Sequence, residues 1–298
     1  MKSIKKKFKK GTAMLLAGTM MAGLMTVMPQ SAIRVKAAGT APGVSAYATK
    51  EQLMDGTFAP DSSGTPANIG KLVFGKKSDG TTPQEWYILG ADSGVTGGTD
   101  NTIIFATSPI ATGQMFNSST SNKTFQSSFG VYAINPPELY VGNPTEVYAN
   151  HYGASDLRVA LQTMATNTSC FTTAEQGLMN ATTVTTKDAL NKNLVNNNVY
   201  YGTTDKLYAL MADGYGSSYK TIKAGTFNQT VLAMNSYWSS GERFWLRSPN
   251  VDDANYALLA LPGTYVVDYY VLSSYGDRAV RPASNLNLSS VLFASIQS

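Results

Sequence analysis

The fold is decided by the stretch FWLRSPNVDDANYALLALPGTYVVDYYVL, residues 244–272. It contains three runs rich in aromatic and aliphatic residues, namely Phe244-Trp245-Leu246, Tyr256 to Leu261 and Tyr265 to Leu272. Pro262-Gly263, between the last two runs, fits the central pair of a type II turn. Short apolar runs joined by turn residues predict strands. This part of the chain is therefore predicted to form a twisted antiparallel sheet, which Ala279-Val280 continues.

Similar signals occur upstream. Leu72-Val73-Phe74 and the run from Glu85 to Leu89 flank the turn sequence Lys77-Ser78-Asp79-Gly80, which predicts an antiparallel hairpin. Thr102 to Phe105 reads as a buried strand, and Leu207 to Met211 as another. Residues 107–154 read as loops.

Two helices are predicted between these strands. Ser155 can cap a helix from Asp156 to Ala165, whose apolar residues fall at helical spacing. A second short helix, ending near Asn180, begins with a capping box formed by Thr172 with Glu175 or by Thr173 with Gln176. The sequence thus predicts an α+β fold, with two early helices and a β-rich C-terminal half.

The N-terminal segment has the pattern of an export signal. Six lysines in the first ten residues precede an uncharged run from Ala13 to Met28, which is shorter than the ~20 residues of a membrane span. Val35-Lys36-Ala37 places small residues at the −3 and −1 positions of a cleavage site after Ala37. We therefore predict a signal peptide at 1–37, a flexible linker at 38–68, a single domain at 69–298, and a secreted protein without a transmembrane segment after signal cleavage. Attachment to the cell surface stays open.

Composition narrows the class of partner. Residues 1–37 contain eight Lys or Arg and no acid, so the mature chain has 23 − 8 = 15 basic against 19 acidic residues, a net charge of −4. This balance lacks a basic footprint for nucleic acid. Cys170 is the only cysteine, so no intramolecular disulfide can form. A disulfide-free secreted protein is more typical of a Gram-positive exporter than of an animal one.

Catalytic and metal-binding patterns are weak. His151 and Cys170 are single residues of their types, and no protease signature surrounds either one. One histidine and one cysteine do not make a transition-metal site. The oxygen-rich run from Asp252 to Asn255 lacks the spacing of a calcium loop, although calcium stays possible there. We predict no catalytic residue, no metal and no cofactor.

Two arginines stand in apolar strand contexts and must be paired if they are buried. Arg247 and Arg281 are predicted to tie strand ends to loop carbonyls or to acids such as Asp156 or Glu175. Ligand contact is the alternative for both. Together with two neighbours they form a predicted structural set, Trp245, Arg247, Arg281 and Pro282.

The segment between these arginines is rich in Tyr, Asp, Asn and Ser. Rigid tyrosine rings beside small polar groups are typical of binding surfaces. The predicted ligand-binding residues are Asp252, Asn255, Tyr256, Tyr265, Tyr269, Tyr270 and Tyr275. Strand alternation predicts that Tyr265 and Tyr269 share one face while Tyr270 lies on the other. The alternative is that tyrosine-rich strands simply cover a sheet face.

Several short motifs occur in a fixed order: Trp86-Tyr87-Ile88-Leu89, Ser155-Asp156-Leu157-Arg158, Phe171-Thr172-Thr173-Ala174-Glu175, Thr204-Asp205-Lys206-Leu207, Phe244-Trp245-Leu246-Arg247-Ser248-Pro249 and Val280-Arg281-Pro282-Ala283. Over roughly residues 69–288 the chain resembles the bacterial extracellular family called domain of unknown function 6273. The closing motifs also resemble the C-type-lectin-like fold of formylglycine-generating enzymes and of diversified phage and bacterial binding proteins. The second resemblance implies a C-type-lectin-like α+β fold. The formylglycine-generating reaction needs two redox-active cysteines, which this chain lacks.

These observations predict a secreted, non-catalytic module that binds a glycan or a protein surface. One alternative is a hydrolase of cell-wall or dietary polysaccharide, for which acids such as Glu85, Glu175 and Asp213 would serve. Another is a structural spacer domain of a surface protein.

Overall fold

The structure is a computed structural model. It describes residues 34–36, 47–59, 71–95, 100–132, 142–188, 199–214, 216–218, 221–226, 230–233, 241–261, 263, 265–272, 278–289 and 293–295.

Strands dominate these residues. In the first half of the chain they are β1 Arg34–Lys36, β2 Tyr47–Thr49, β3 Lys71–Lys76, β4 Pro83–Gly90, β5 Asn101–Ala106, β6 Ala111–Thr112, β7 Lys123–Thr124, β8 Val131–Tyr132 and β9 Glu146–Val147. Those that follow are β10 Thr182–Asp188, β11 Val199–Asp205, β12 Tyr208–Ala209, β13 Thr221–Ala224, β14 Thr230–Ala233, β15 Arg243–Pro249, β16 Tyr256–Ala260, β17 Val266–Tyr270, β18 Arg278–Val280, β19 Pro282–Asn287 and β20 Phe293–Ser295. The described α-helices are α1 Lys50–Met54, α2 Asp156–Thr166 and α3 Thr173–Leu178.

The strands form three sheets and two small pairs. The large sheet has eight strands in the order β12-β19-β5-β4-β3-β1-β20-β2. The five-stranded sheet has the order β17-β16-β15-β18-β6, and the three-stranded sheet the order β10-β11-β8. The pairs are β13 with β14 and β7 with β9. Most neighbouring strands are antiparallel, and the parallel pairs are β15 with β18 and β1 with β20.

This architecture corrects the prediction of an α+β, C-type-lectin-like fold with a β-rich C-terminal half, which was wrong. The protein is mostly β-sheet, and the large sheet takes β1 to β5 from the first part of the chain and β12, β19 and β20 from the last. Twelve of the twenty described strands escaped prediction, among them β10, β11, β13 and β14. Threonine is β-branched and favours strands, but segments such as TTVTTKD, residues 182–188, alternate too weakly in hydrophobicity to be recognised.

The two predicted helices do form, in the middle of the chain. In α2 the Ser155 hydroxyl accepts from the Arg158 N–H at 3.1 Å, as the predicted cap requires. In α3 the capping box is the Thr172–Glu175 pair, with both reciprocal hydrogen bonds present. Several predicted strands are likewise confirmed: β3 and β4 form the expected hairpin, and β5 is buried along its whole length.

The core consists of two large apolar clusters and a small third one around Tyr132, Val199 and Tyr201. Trp86 and Ile88 of β4 enter the first cluster, whereas Tyr87 and Leu89 enter the second. Successive strand residues point to opposite faces, so β4 is buried on both faces. The first cluster also receives α2 and Trp245, and the second receives Phe244. β15 therefore contributes to both clusters in the same way.

Part of the predicted linker has regular structure. α1 begins after Thr49, whose hydroxyl accepts from the Gln52 N–H while the Gln52 side chain accepts from the Thr49 N–H. Leu53 is buried in the first cluster. β2 pairs with β20, and the Thr102 hydroxyl of β5 donates to the Leu53 carbonyl at 2.7 Å, so this segment is attached to the large sheet.

Most of the predicted signal peptide lies outside the described residues. Its described part, β1, pairs with β3 and β20. Cleavage after Ala37 would remove this strand from the large sheet. Within the described ranges, no helix has the length and apolar character needed to cross a bilayer.

Candidate functional site

The predicted binding segment forms the outer hairpin of the five-stranded sheet. β16 and β17 pair antiparallel in continuous register from Tyr256 opposite Tyr270 to Ala260 opposite Val266. Gly263 in the connection has φ +66°, the left-handed conformation that a type II turn requires at its third residue. Pro262, the other central residue of the predicted turn, lies outside the described residues.

The hairpin sorts the predicted tyrosines onto two faces. The rings of Tyr256 and Tyr270 lie together, with centroids 5.6 Å apart, and Tyr270 is 39% exposed. Tyr269 faces the other way, packs against the first cluster and carries the Arg278 guanidinium 3.7 Å from its ring centroid. Tyr265 precedes β17 and is half-buried. Tyr275 lies outside the described residues.

The loop before β16 is held by two buried asparagines. The Asn250 Oδ1 accepts from the N–H groups of Asp252 and Asp253 at 2.7 and 3.1 Å. The Asn150 Nδ2 donates to the carbonyl oxygens of Asn250, Asp253 and Tyr256 at 3.0–3.2 Å. These bonds fix the main chain, so the exposed side chains of Asp252 and Asp253 project from a rigid support.

The same loop connects to β17. Asn250 Nδ2 donates to Asp268 Oδ2 at 3.0 Å, and Val271 N–H donates to the Asn255 carbonyl at 2.9 Å. Val251, next to Asn250, is 40% exposed. The structure therefore brings Asp252, Tyr256 and Tyr270 to one end of the hairpin, whereas Asn255 contributes its main chain to the support.

Arg247, from β15, connects three sheets. It is buried, and its guanidinium donates to the Ala209 carbonyl of the large sheet at 2.7 Å. It also donates to the Thr185 carbonyl of the three-stranded sheet at 3.2 and 3.3 Å. Burial lowers the pKa of this guanidinium. Because its hydrogen bonds hold strands of separate sheets, Arg247 occupies a structural position in the described core.

Arg281 has a comparable position between β18 and β19. It donates to the Ala106 and Thr107 carbonyls at 3.0 and 3.1 Å, and its guanidinium lies 4.6 and 4.9 Å from the ring centroids of Phe105 and Phe244. Burial lowers its pKa to about 10, so it stays protonated at neutral pH.

The other members of the predicted structural set are also buried. Trp245 donates from Nε1 to the Gln114 carbonyl at 2.7 Å. Pro282 is the first residue of β19 and lies opposite Ala209.

The acids named in the sequence analysis have other partners. Asp156 accepts from the Ser118 N–H at 2.8 Å, and Glu175 accepts from the Gly75 N–H at 3.0 Å besides closing the capping box. Glu85 pairs with Lys71 at 3.1 Å. Asp213 pairs with Lys223 at 2.7 Å. Each acid thus has a local structural contact.

His151 belongs to a buried aromatic cluster that the sequence did not indicate. Its ring stacks on Tyr201, with centroids 4.0 Å apart and planes 15° apart. Tyr132 donates its hydroxyl proton to a hydrogen bond with Asp188 at 2.6 Å, which leaves its oxygen to accept a hydrogen bond from Nε2–H of His151, 3.1 Å away. His151 Nδ1 then has no hydrogen-bond donor among the described residues. Cys170 lies elsewhere, in the first cluster, with Sγ 3.8 Å from the Lys77 carbonyl.

The burial of His151 makes the stability of the fold depend on pH. Burial lowers the pKa of His151 from 6.5 to about 3. Between these two pH values the histidine is protonated in the unfolded chain and neutral in the folded chain. Stability is therefore full above pH 6.5 and falls as the pH drops toward 3. We expect the free energy of unfolding to fall by about 2 kcal/mol between pH 7.5 and pH 5. Urea unfolding at a series of pH values measures it.

His151→Gln is the control, because His151 is the only histidine of the chain. The variant should lose about 2 kcal/mol of this pH dependence, whatever its stability at pH 7.5. An unchanged slope would show that the pKa of His151 is the same in the folded and the unfolded protein.

No group of three or more His, Cys, Asp or Glu side chains suited to hold a metal ion occurs in the part of the chain that the structure describes. Comparison of the chain with protein-family models, curated proteins and solved structures finds no match.

Proposed function

We propose that the protein is a secreted, non-catalytic module that binds a glycan or a protein surface through the end of the β16–β17 hairpin. The observation that carries this proposal is the Tyr256–Tyr270 ring pair beside the acidic loop that Asn150 and Asn250 hold. We name this set, Val251, Asp252, Asp253, Tyr256 and Tyr270, the hairpin surface.

Preorganisation supports the proposal. A ligand that binds a rigid surface does not have to order it first, which removes part of the entropic cost of binding. Tyrosine supplies a large contact area with little rotamer freedom to lose, and it has both an apolar ring and a polar hydroxyl. Exposed carboxylates can accept hydrogen bonds from sugar hydroxyls or from amino groups of a protein.

The distribution of exposed apolar groups also favours this surface. Among the described residues, the large hydrophobic side chains with substantial exposure are Val131, Val159, Val251 and Tyr270. The last two belong to the hairpin surface, and the ring of Tyr256 extends it. Exposed apolar area surrounded by polar groups is typical of an interaction site.

The test begins with a glycan array and a protein-partner screen on the secreted protein. Tyr270→Ser should weaken binding to the ligand found by about tenfold or more, because aromatic residues at interfaces contribute more than 1 kcal/mol. Isothermal titration calorimetry with that ligand measures the change, and thermal unfolding should stay within a few degrees because Tyr270 is largely at the surface.

Val159→Ser is the matched control, because Val159 is an exposed apolar residue on α2 and not part of the hairpin surface. It should bind like the unmodified protein. If the unmodified protein, Tyr270→Ser and Val159→Ser all bound the ligand with equal affinity, the binding site would lie outside the hairpin surface, which contradicts the proposal.

A further inference from the structure

The outer edge of β17 carries main-chain groups that lack partners among the described residues. β17 is the last strand of the five-stranded sheet. The Leu261 N–H donates to the Tyr265 carbonyl at 3.0 Å, and the Val271 N–H donates to the Asn255 carbonyl at 2.9 Å. Antiparallel strands bond through every second residue, so the odd-numbered residues of β17 bond to β16. The even-numbered residues turn their N–H and C=O groups away from it.

A contact on the far side confirms this direction. The Gly216 N–H donates to the Val266 carbonyl at 2.7 Å from outside the sheet. Further along the same edge, Asp268 and Tyr270 have no main-chain hydrogen bond to any described residue on that side. Tyr270 is also one of the exposed residues of the hairpin surface. Within the described chain, the edge is thus covered at Val266 and open at Asp268 and Tyr270.

The charged side chains near this edge indicate which kind of ligand strand could bind there. The described residues between 248 and 272 include three aspartates and no Lys or Arg, and Arg278 lies on the opposite face of β17, over the Tyr269 ring. One of them, Asp268, lies on the edge strand itself and accepts from Asn250, which also holds the loop of Asp252 and Asp253. Pairing of two copies through this edge would bring like charges together, which is unfavourable. A cationic strand would meet complementary charge.

We propose that the protein binds an extended segment of a partner protein, rich in Lys or Arg, which adds to the five-stranded sheet as a strand beside β17. This inference rests on the proposed function and commits it to a protein ligand. The main-chain groups of Asp268 and Tyr270 pair with the segment, as in other peptide complexes formed by strand addition. Cationic side chains of the segment reach Asp268 and the rings of Tyr256 and Tyr270.

The probe is a fluorescent peptide of alternating Lys and Thr, titrated with the secreted protein and followed by anisotropy. In the complex, amide hydrogen exchange resolved by NMR should slow by about tenfold or more at Asp268 and Tyr270, which gain partners. The amides of Val267 and Tyr269 already bond to β16 and should change little. A Glu-Thr peptide of the same length should not bind, because its charge is reversed.

Two variants at one position separate charge from strand pairing. Asp268→Ala removes the carboxylate and should weaken peptide binding about threefold to tenfold at low salt. Asp268→Pro removes the outward N–H as well, and should weaken binding about tenfold further. The pairing of β17 with β16 should persist in the Asp268→Pro variant, because the N–H of residue 268 does not donate to β16.

Absence of peptide binding overturns the inference, and so does binding that leaves exchange at Asp268 and Tyr270 unchanged in the unmodified protein. Equal affinities of the Ala and Pro variants, both folded, overturn it too. If the array then finds a glycan whose binding depends on Tyr270, the proposed function stands without the strand addition. If neither ligand class depends on Tyr270, both proposals fail.

Discussion

Gly153→Ala is expected to lower the free energy of unfolding by more than about 3 kcal/mol, because the new methyl group would clash with main-chain atoms. A Cβ at this position would overlap the Phe129 carbonyl oxygen and would lie 2.9 Å from Cε1 of the His151 ring. The carbonyl belongs to a short 3₁₀ turn at Ser127–Phe129, and His151 is held by its stack on Tyr201. Urea unfolding measures the loss.

Gly177→Ala is the matched control. Gly177 lies in α3, and a Cβ there meets no atom within 4 Å. Alanine has a higher helix propensity than glycine, so the free energy of unfolding of this variant should rise by about 0.5–1 kcal/mol. If Gly153→Ala were as stable as the unmodified protein, residue 153 could not lie as close to the Phe129 carbonyl as it does in the structure.

Arg247→Met is expected to lower the free energy of unfolding by about 3 kcal/mol. Methionine fills much of the space but donates no hydrogen bond, so the Ala209 and Thr185 carbonyls lose a buried charged donor. Hydrogen bonds to charged groups contribute about 1.5–3 kcal/mol each, and an abandoned buried acceptor adds its desolvation cost. Avoided burial of the charge offsets part of this loss. Urea unfolding of the variant measures the difference.

Arg243→Met provides the comparison on the same strand, since Arg243 is only half-buried. Its substitution should cost less than about 1 kcal/mol. If Arg247→Met left the unfolding transition unchanged but abolished ligand binding, Arg247 would belong to a binding site, which is the alternative that the sequence left open.

Local signals in the sequence predict several elements correctly. The Ser155 cap of α2 and the Thr172–Glu175 box of α3 involve residues three positions apart, so their chemistry is complete within a short window. The hairpin of β3 and β4 and the buried strand β5 follow equally from short runs and turn residues. The predicted fold class was nevertheless wrong, because polar strands such as β10 give no comparable local signal.

The binding segment shows the limit of a strand pattern. Alternation correctly predicts that Tyr269 and Tyr270 face opposite ways, since it is a property of any strand. It does not say which face is covered. Tyr269 is covered by Arg278 and packs against the first cluster. The rings of Tyr270 and Tyr256 therefore lie together on the other face, at the surface.

The sequence by itself determined the caps, the short apolar strands, the unique His151 and Cys170, and the acidic, tyrosine-rich character of residues 250–277. Tertiary structure alone decided the partners. Arg247 donates to carbonyls 38 and 62 residues away, and His151 contacts Tyr132 and Tyr201, which lie opposite each other on β8 and β11. The physical reason is range: caps and turns act within a few residues, whereas the order of strands in a sheet depends on burial summed over the whole chain.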